Sequence, residues 1–256
     1  MTQTEGYIVI CIGAKYERML HNFVDTLRKN GDQRDVHVIT DVSDEPLFDQ
    51  CLTDFERYGT LPKISLDKNL PFDHNIFLDI DMLCIGNTEP VWDLMKAQDV
   101  SQIQLGVPGL HERDNALLQA AAAERGWSKP PTVQGGFIYL RKEGLNTEFF
   151  EWMRNEGFPN YSTYATEARP YKNSRTDQEL FSLAHGKFGT KFLNMFAHPV
   201  MTFLDAVPWH RDNAPTKKVI YREMMREQTE FVSFCHAMSK PGHPIYENMY
   251  AQVMSW

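Results

Sequence analysis

The sequence predicts an α/β fold with a mostly parallel central sheet flanked by helices. The segment "GYIVICIG" (6–13) is a continuous apolar run between two glycines, which is typical of a strand buried on both faces. A segment with apolar residues at helical spacing follows it, and Gly31 supplies a C-terminal stop. "VHVITD" (36–41) predicts the next strand. This order of strand, helix and strand implies a right-handed crossover and parallel pairing.

The later segments continue the alternation of strands and helices. Further strands are predicted at "HNIFLDID" (74–81), "IQLGVPG" (103–109), "GGFIYLR" (135–141) and "EFVSFCH" (230–236). Helices are predicted at "EPVWDLMKAQ" (89–98), "DNALLQAAAAERGW" (114–127), "EFFEWMRNEG" (148–157) and "TDQELFSLAHG" (176–186), the last opened by a capping box of Thr176 and Glu179. In the C-terminal segment, Ile245, Met249 and Val253 lie at helical spacing, so we expect it to pack on the body of the protein.

The length and composition fit one large globular domain or two tightly fused halves. The chain has 256 residues, of which 42% are hydrophobic and 23% charged, and its net charge of −8 argues mildly against a polyanion as the main partner. Its four cysteines form no CxxC pair, so we expect buried, reduced thiols and a cytoplasmic location. No apolar run approaches the roughly 18 residues that a membrane span needs, which predicts a soluble protein.

Two aspartates interrupt the apolar segment "HNIFLDIDMLCIGN" (74–87). Side chains alternate along an extended chain, so Asp79 and Asp81 are expected on the same face of the strand. Two like charges so close together repel each other unless a cation lies beside them. The pair therefore indicates a cation site, although two solvated acids in a turn would give the same triplet.

Other polar residues also fall at predicted strand ends. In parallel α/β sheets, ligands bind at the carboxyl ends of the strands. If the strands share one sheet and run parallel, Asp41 and His236 converge with Asp79 and Asp81.

Two kinds of chemistry use such an acid pair. In phosphatases of the haloacid dehalogenase type, the first acid, here Asp79, is a nucleophile, but that family expects Thr or Val after the second acid, where this chain has Met82 and Leu83. In a glycosyltransferase, a hard divalent cation bound by two carboxylates bridges the phosphates of a nucleotide-sugar.

The segment "NIFLDIDMLCIGN" resembles the "Y-L-D-A-D-T-L-V-L-G-N" segment of family 8 glycosyltransferases, which include glycogenin and bacterial galactosyltransferases. The resemblance extends over most of the chain. "CIGAKYERMLHNFVDTL" is similar to the family's first strand and helix, with Tyr16 at the aromatic that stacks on uracil. Lys63 lies where the family has a basic residue before the acid pair.

The second half of the chain carries three more similarities. "VQGGFIYLR" places Gln134 at the family's sugar-facing Asn, "SRTDQELFSLA" matches Asp177 and Gln178 to the family's D-Q pair, and "VSFCHAMSKP" matches Lys240. The chain also departs from the family. The family's metal-binding His aligns at Phe234, whereas this chain offers His236 two residues later. We therefore expect a divergent member.

The resemblance implies a single GT-A-like domain, with a nucleotide-sugar-binding half at 1–100 and an acceptor-side half at 101–256. It implies transfer of a sugar from a UDP-sugar to an acceptor hydroxyl, with retention of configuration. The implied ligands of Mn²⁺ or Mg²⁺ are Asp79, Asp81 and His236. The implied donor-binding residues are Tyr16, Asp41, Lys63, Asp79, Ile80, Asp81 and Lys240, and the implied catalytic residues lining the sugar are Gln134, Asp177 and Gln178.

Each of these residues also has a structural interpretation. Tyr16 could be buried between helix and sheet, Lys63 and Lys240 could be solvated loop lysines, and Asp41 a simple turn acid. His236 could be structural, and an acid at position 177 is stabilised by the helix dipole whatever its function. The acceptor stays open among a glycan, a lipid core, a protein and a modified nucleobase. A non-catalytic protein that binds nucleotide-sugars is a further alternative.

Overall fold

The computed structural model of the protein describes residues 4–40, 61–106, 112–160, 176–194, 200–203, 234–236, 242 and 244–255. The strands are β1 (Glu5–Cys11), β2 (Asp35–Thr40), β3 (His74–Leu78), β4 (Met82–Cys84), β5 (Gln102–Gly106), β6 (Val133–Arg141), β7 (Leu193–Asn194), β8 (Met201–Phe203) and β9 (Phe234–His236). The α-helices are α1 (Glu17–Lys29), α2 (Glu89–Lys96), α3 (Glu112–Glu124), α4 (Thr147–Trp152), α5 (Thr176–Phe188) and α6 (Pro244–Ser255). In the described part of the chain, the 3₁₀ helix Ala14–Tyr16 precedes α1, the 3₁₀ helix Leu61–Lys68 precedes β3, and a π-helical turn, Met153–Gly157, continues α4.

The strands form two sheets. The larger sheet has the order β2-β1-β3-β6-β5-β7 and is mostly parallel, with helices flanking it. The smaller sheet has the order β4-β9-β8. Within the larger sheet β5 is antiparallel to β6 and parallel to β7. The predicted α/β fold class is thereby confirmed.

The chain divides into two compact units. Unit 1 comprises Met1–Gly6, Ser43–Phe77 and Val100–Phe196, and unit 2 comprises Tyr7–Val42, Leu78–Asp99 and Ala197–Trp256. The predicted division into halves near residue 100 stays a prediction. Among the described helices, none is long and apolar enough to cross a membrane.

In unit 2, α1 ends as the sequence predicts. Gly31 has a φ of 86°, a left-handed conformation that glycine adopts without a steric penalty. Its backbone N–H donates to the carbonyl of Arg28, and that of Asp32 donates to the carbonyl of Leu27. These two bonds form a Schellman motif, which satisfies carbonyls at the end of the helix and turns the chain toward β2.

The buried carboxylate of Asp32 joins β1 to the start of α2. Tyr7 and Thr88 donate their hydroxyl hydrogens to Oδ2 of Asp32, at 2.6 and 2.5 Å, and Trp92 Nε1 donates to the Tyr7 oxygen at 2.8 Å. Burial by itself would raise the pKa of Asp32, but the hydrogen bonds from Thr88, Tyr7 and the Arg34 backbone, with the Arg34 charge, lower it overall. Burial and the neighbouring Asp32 charge raise the pKa of Tyr7. The Asp32 carboxylate therefore has a structural role, linking β1 to the start of α2 within unit 2.

The C-terminal helix packs on the same unit, as predicted. Tyr246, Met249 and Val253 are buried. The Tyr246 hydroxyl donates to the backbone carbonyl of Met19, and Glu247 pairs with Arg18 at 2.6 Å. Cys11 and Cys84 are buried.

In unit 1, β5, β6 and the face of α5 that packs on β6 are almost fully buried. The predicted helix over 148–157 is present, but only its first part is α-helical. Its second part is the π turn, closed by the bond from the Phe158 N–H to the Met153 carbonyl at 2.8 Å.

His185, in the last turn of α5, is buried between two polar side chains. Its Nε2 is 2.6 Å from Oε1 of Gln104, and its Nδ1 is 2.6 Å from Oγ1 of Thr190. Because an amide oxygen only accepts, Nε2 carries the hydrogen and Nδ1 accepts from the threonine hydroxyl. Burial lowers the pKa of His185 to about 4. The ring is therefore neutral at physiological pH.

We expect Asp32→Asn to lower the free energy of unfolding by about 2 kcal/mol, because the amide cannot accept the hydroxyl donors as the carboxylate does. Since the folded-state pKa of Asp32 is below the unfolded value, its contribution is present above about pH 4 and is lost as the pH falls further. Urea unfolding of the variant and of Asp93→Asn, an exposed acid on α2, measures the difference. Equal effects of the two substitutions would contradict the assignment.

His185 predicts a second pH dependence. Its folded-state pKa lies below the unfolded value of about 6.5, so it stabilises the fold above that pH. As the pH falls from about 6.5 to about 4, the unfolded chain takes up a proton that the folded protein refuses, and this contribution is lost. Unfolding free energies should fall less steeply over this interval in His185→Gln than in the wild type, while His21→Gln, on an exposed position of α1, should behave like the wild type.

Candidate functional site

The acid pair lies in a tight turn after β3. β3 is buried along its whole length and ends at Leu78. The carbonyl of Asp79 accepts a hydrogen bond from the Met82 N–H at 3.0 Å, which places Ile80 and Asp81 in the middle of a β-turn. The prediction that the strand continues through Asp81 is wrong, because this hydrogen bond turns the chain away from the larger sheet. The alternation of an extended strand therefore does not govern the two acids, both of which are half-buried.

His236 approaches the acid pair by a route other than the predicted one. β9 belongs to the smaller sheet and not to the sheet that contains β3, so the predicted convergence within one parallel sheet is wrong for this residue. β4 and β9 are antiparallel, and their register pairs the backbone of His236 with that of Met82, the residue after Asp81. The side chain of His236 lies outside the described part of the structure, as do Asp41 and Lys240.

The donor chemistry of the turn suits a hard divalent cation. Asp79 and Asp81 offer carboxylate oxygens, the ligands that Mg²⁺ and Mn²⁺ prefer. Among the side chains that the structure describes, no group of three or more His, Cys, Asp and Glu residues could hold a metal ion. The turn by itself offers two carboxylate ligands, Asp79 and Asp81, and a metal site there would need further ligands from elsewhere.

Tyr16 lies at the start of α1, just after β1. The backbone leaves β1 through Gly13, whose φ is 86°, and Tyr16 closes the following 3₁₀ turn with a bond from its N–H to the Gly13 carbonyl. Tyr16 is half-buried, and the ammonium group of Lys15 lies 5.0 Å from the centre of its ring. The Tyr16 ring is therefore not completely buried between helix and sheet.

Unit 1 contains the second group of predicted residues, centred on a buried ion pair. Lys63 is in the 3₁₀ helix Leu61–Lys68, and its Nζ lies 2.8 Å from Oδ2 of Asp177 in the first turn of α5. The two side chains are 8% and 2% exposed, and the Phe77 ring lies 5.6 Å from the ammonium group. Lys63 is therefore not a solvated loop lysine.

The neighbouring amides complete the group. Nε2 of Gln178 donates to Oε1 of Gln134, which brings the two predicted sugar-lining glutamines together. A Cβ at Gly135 would lie only 2.9 Å from Oδ2 of Asp177 and 3.0 Å from Cγ of Gln178, so only glycine lets α5 approach β6 this closely. The sequence signal for this role is Gly135 itself, the second residue of the "QGG" triplet.

Two features of α5 give the group hydrogen-bonding capacity. Oδ1 of Asp177 is buried and has no hydrogen-bond partner among the described residues. A buried carboxylate oxygen without a donor is costly, and a ligand hydroxyl would satisfy it. Burial also raises the pKa of Glu179, in the same first turn, to about 7. Near neutral pH this carboxyl group exchanges between its neutral and charged forms.

We expect Lys63→Met to lower the free energy of unfolding by about 3–5 kcal/mol, because it leaves the buried Asp177 carboxylate without its counter-charge. Arg18→Met, which removes one side of the exposed Arg18–Glu247 pair, should cost less than about 1 kcal/mol. Chemical denaturation of both variants makes the comparison. A cost for Lys63→Met as small as that of the control would show that Asp177 does not depend on the ammonium group.

The fold resembles that of known glycosyltransferases. The structure of the galactosyltransferase LgtC, in complex with donor and acceptor sugar analogues, has a TM-score of 0.60 and 15% sequence identity, and the match covers 98% of this chain and 95% of LgtC. Mouse xyloside xylosyltransferase 1 has a TM-score of 0.56 and 10% identity, over 92% of this chain and 98% of the mouse protein. The Streptococcus pneumoniae glycosyltransferase GlyE has a TM-score of 0.52 and 9% identity, over 98% of this chain and 62% of GlyE.

Comparisons of sequence alone find no relative of this chain. No protein-family model matches it, and no curated protein matches it. The structural matches nevertheless extend over nearly the whole chain, and the first two also cover nearly the whole of the known proteins. The protein therefore has a GT-A-like glycosyltransferase fold.

Proposed function

We propose that the protein is a glycosyltransferase that moves a sugar from a UDP-sugar to an acceptor hydroxyl, with the help of a divalent cation. The observation that carries this proposal is the position of the acid pair: Asp79 and Asp81 occupy a half-buried turn directly after a buried strand, in a chain with a glycosyltransferase fold. Two neighbouring carboxylates repel each other, and the proposed function supplies both a cation that would attract them and the phosphates that share this cation.

Residues of unit 2 are proposed to bind the nucleotide and the cation. Asp79, Asp81 and His236 would hold Mn²⁺ or Mg²⁺, and the register that sets His236 beside Met82 supports the inclusion of the histidine. A bound cation would neutralise charge that develops on the diphosphate. The half-buried ring of Tyr16 is proposed to stack on the base. Asp41 and Lys240 keep their proposed contacts with ribose and phosphate.

Residues of unit 1 are proposed to bind and orient the sugar. Oδ1 of Asp177 accepts from a sugar hydroxyl, while the ammonium group of Lys63, bound to Oδ2, holds this carboxylate in its orientation. Gln134 and Gln178 are held together by their hydrogen bond and are proposed to line the sugar. Each of these side chains is fixed by a partner before a ligand arrives, which reduces the entropy cost of binding.

The resemblance to family 8 enzymes supports transfer with retention of configuration. In the proposed step the acceptor oxygen forms a bond to the anomeric carbon on the face from which UDP departs. The bond from that carbon to the phosphate oxygen breaks, and the hydroxyl proton passes to the departing phosphate. The protein contributes orientation and charge, and no side chain is assigned as a nucleophile.

The phosphatase alternative finds no comparable support. Its nucleophile would be Asp79, but the chain matches glycosyltransferases over nearly its full length. A protein that binds nucleotide-sugars without transferring them has the same fold and the same site, so the experiment must separate binding from transfer.

A panel of UDP-sugars with Mn²⁺ tests the proposal. We expect one donor to release UDP slowly in water and faster once its acceptor is added. Release of inorganic phosphate from small phosphoesters, abolished by Asp79→Asn, would instead establish the phosphatase. Tight UDP binding with no turnover of any donor would establish a binding protein.

Calorimetry of UDP binding tests the metal site separately. We expect Mn²⁺ to increase UDP affinity at least about tenfold, and Asp81→Ala to abolish that increase, because the second carboxylate is proposed as a metal ligand. Asp99→Asn, an exposed acid after α2, serves as the control and should bind as the wild type does. UDP affinity that ignored both the metal and the Asp81 substitution would refute the proposed site.

A further inference from the structure

The segment that carries Lys63 is an unusual support for a functional side chain. The 3₁₀ helix Leu61–Lys68 extends over eight residues. Runs of 3₁₀ helix longer than three or four residues are uncommon, because their hydrogen bonds are poorly aligned. The segment therefore depends on contacts from outside to hold its shape, and so does the position of the Lys63 ammonium group.

The side chain of Arg154 supplies contacts of this kind. Arg154 donates from Nη1 to the backbone carbonyl of Ile64 at 2.8 Å and to Oδ1 of Asp67 at 2.5 Å, and from Nη2 to Oδ2 of Asp67 at 3.0 Å. The guanidinium group thus spans one turn of the 3₁₀ helix, beginning at the residue after Lys63. The Asp67 side chain is 5% exposed and that of Arg154 15%, so water competes little for either.

The helix geometry at Arg154 is equally unusual. Arg154 is the second residue of the π turn Met153–Gly157, and π turns are rare and frequent at functional sites. The extra residue in the turn changes the direction in which the following side chains leave the helix. Gly157 closes the turn where a Cβ would lie 3.0 Å from the Trp152 ring and 3.4 Å from Leu180 of α5. The π turn therefore packs against the helix that carries Asp177.

We propose that Arg154 is a positioning residue, which places the ammonium group of Lys63 against Asp177 by clamping Ile64 and Asp67. The hydrogen bonds of the Arg154 guanidinium group go to Ile64 and Asp67 and not to Lys63 or Asp177, so Arg154 acts through the 3₁₀ backbone. This inference rests on the proposed function, since it gives Lys63 and Asp177 their role at the sugar. The planar guanidinium group bonds the carbonyl and binds both oxygens of the carboxylate through a rigid fork of donors, a geometry that an ammonium group does not offer.

The first arm of the test is kinetic. With the UDP-sugar that releases UDP in the presence of Mn²⁺, we expect Arg154→Gln and Lys63→Gln each to lower kcat/KM about a hundredfold, the loss typical of a displaced catalytic group. Arg154→Lys keeps the charge and should fall between them and the wild type, and Asp67→Asn should resemble Arg154→Gln. In the Lys63→Gln background, Arg154→Gln should cause no further loss, because Arg154 acts only through Lys63.

A matched control separates positioning from general stability. Arg34 of unit 2 also makes a bidentate pair with a carboxylate, at 2.8 Å to both oxygens of Glu89, and its side chain is 16% exposed. Arg34→Gln should lower the Tm and leave kcat/KM unchanged well below that temperature. Independent, additive losses from Lys63→Gln and Arg154→Gln would overturn the positioning role, as would a loss in Arg34→Gln equal to that in Arg154→Gln.

The second arm needs no activity. In a crystal structure of Arg154→Gln, or of Asp67→Asn if the first variant does not fold, we expect Lys63 Nζ and Asp177 Oδ2 to separate beyond the 4 Å limit of an ion pair. Persistence of the 2.8 Å contact would overturn the inference. If no donor is turned over, the proposed function fails, and this arm alone decides whether Arg154 positions Lys63.

Discussion

The buried ion pair between Lys63 and Asp177 is the interaction on which the candidate site in unit 1 depends. Neither charge is stable alone in a site from which water is excluded, so each requires the other at hydrogen-bonding distance. That requirement sets how closely the 3₁₀ helix and α5 approach. It also explains why position 135 is a glycine, because a Cβ there would collide with the Asp177 carboxylate. The pair uses one oxygen of Asp177 and leaves the other available.

The two units hold their acids in contrasting ways. Asp32 is surrounded by hydroxyl and amide donors that hold its pKa low, so it has no capacity left for a ligand. Asp79 and Asp81 are half-buried in a turn closed by a bond from the Met82 N–H to the Asp79 carbonyl. The first arrangement stabilises a fold, while the second keeps charge near the surface where a cation could reach it. The surroundings of an aspartate, and not the residue type alone, therefore decide whether it serves the fold or is a candidate for binding a ligand.

Local pattern predicted the fold class and most of the elements because both depend on short-range physics. The apolar run of β1, the helical spacing of α1 and the glycine after it reflect burial and φ preferences that act within a few residues. The prediction that β3 continues through Asp81 was wrong, and the cause is again an interaction between residues close together in the chain. A single bond from Met82 to Asp79 ends β3, and no hydrophobic pattern announces it.

The sequence by itself determined the types of the elements, the presence of the acid pair and the likeness of its motifs to a glycosyltransferase family. Only the tertiary structure decided that Lys63 meets Asp177, that Gln134 meets Gln178, and that β9 pairs with β4 and not within the larger sheet. Arg154 and Asp67 belong to none of the sequence motifs that resemble the glycosyltransferase family. These contacts join residues far apart in the chain, and long-range packing, which local patterns do not encode, selects them.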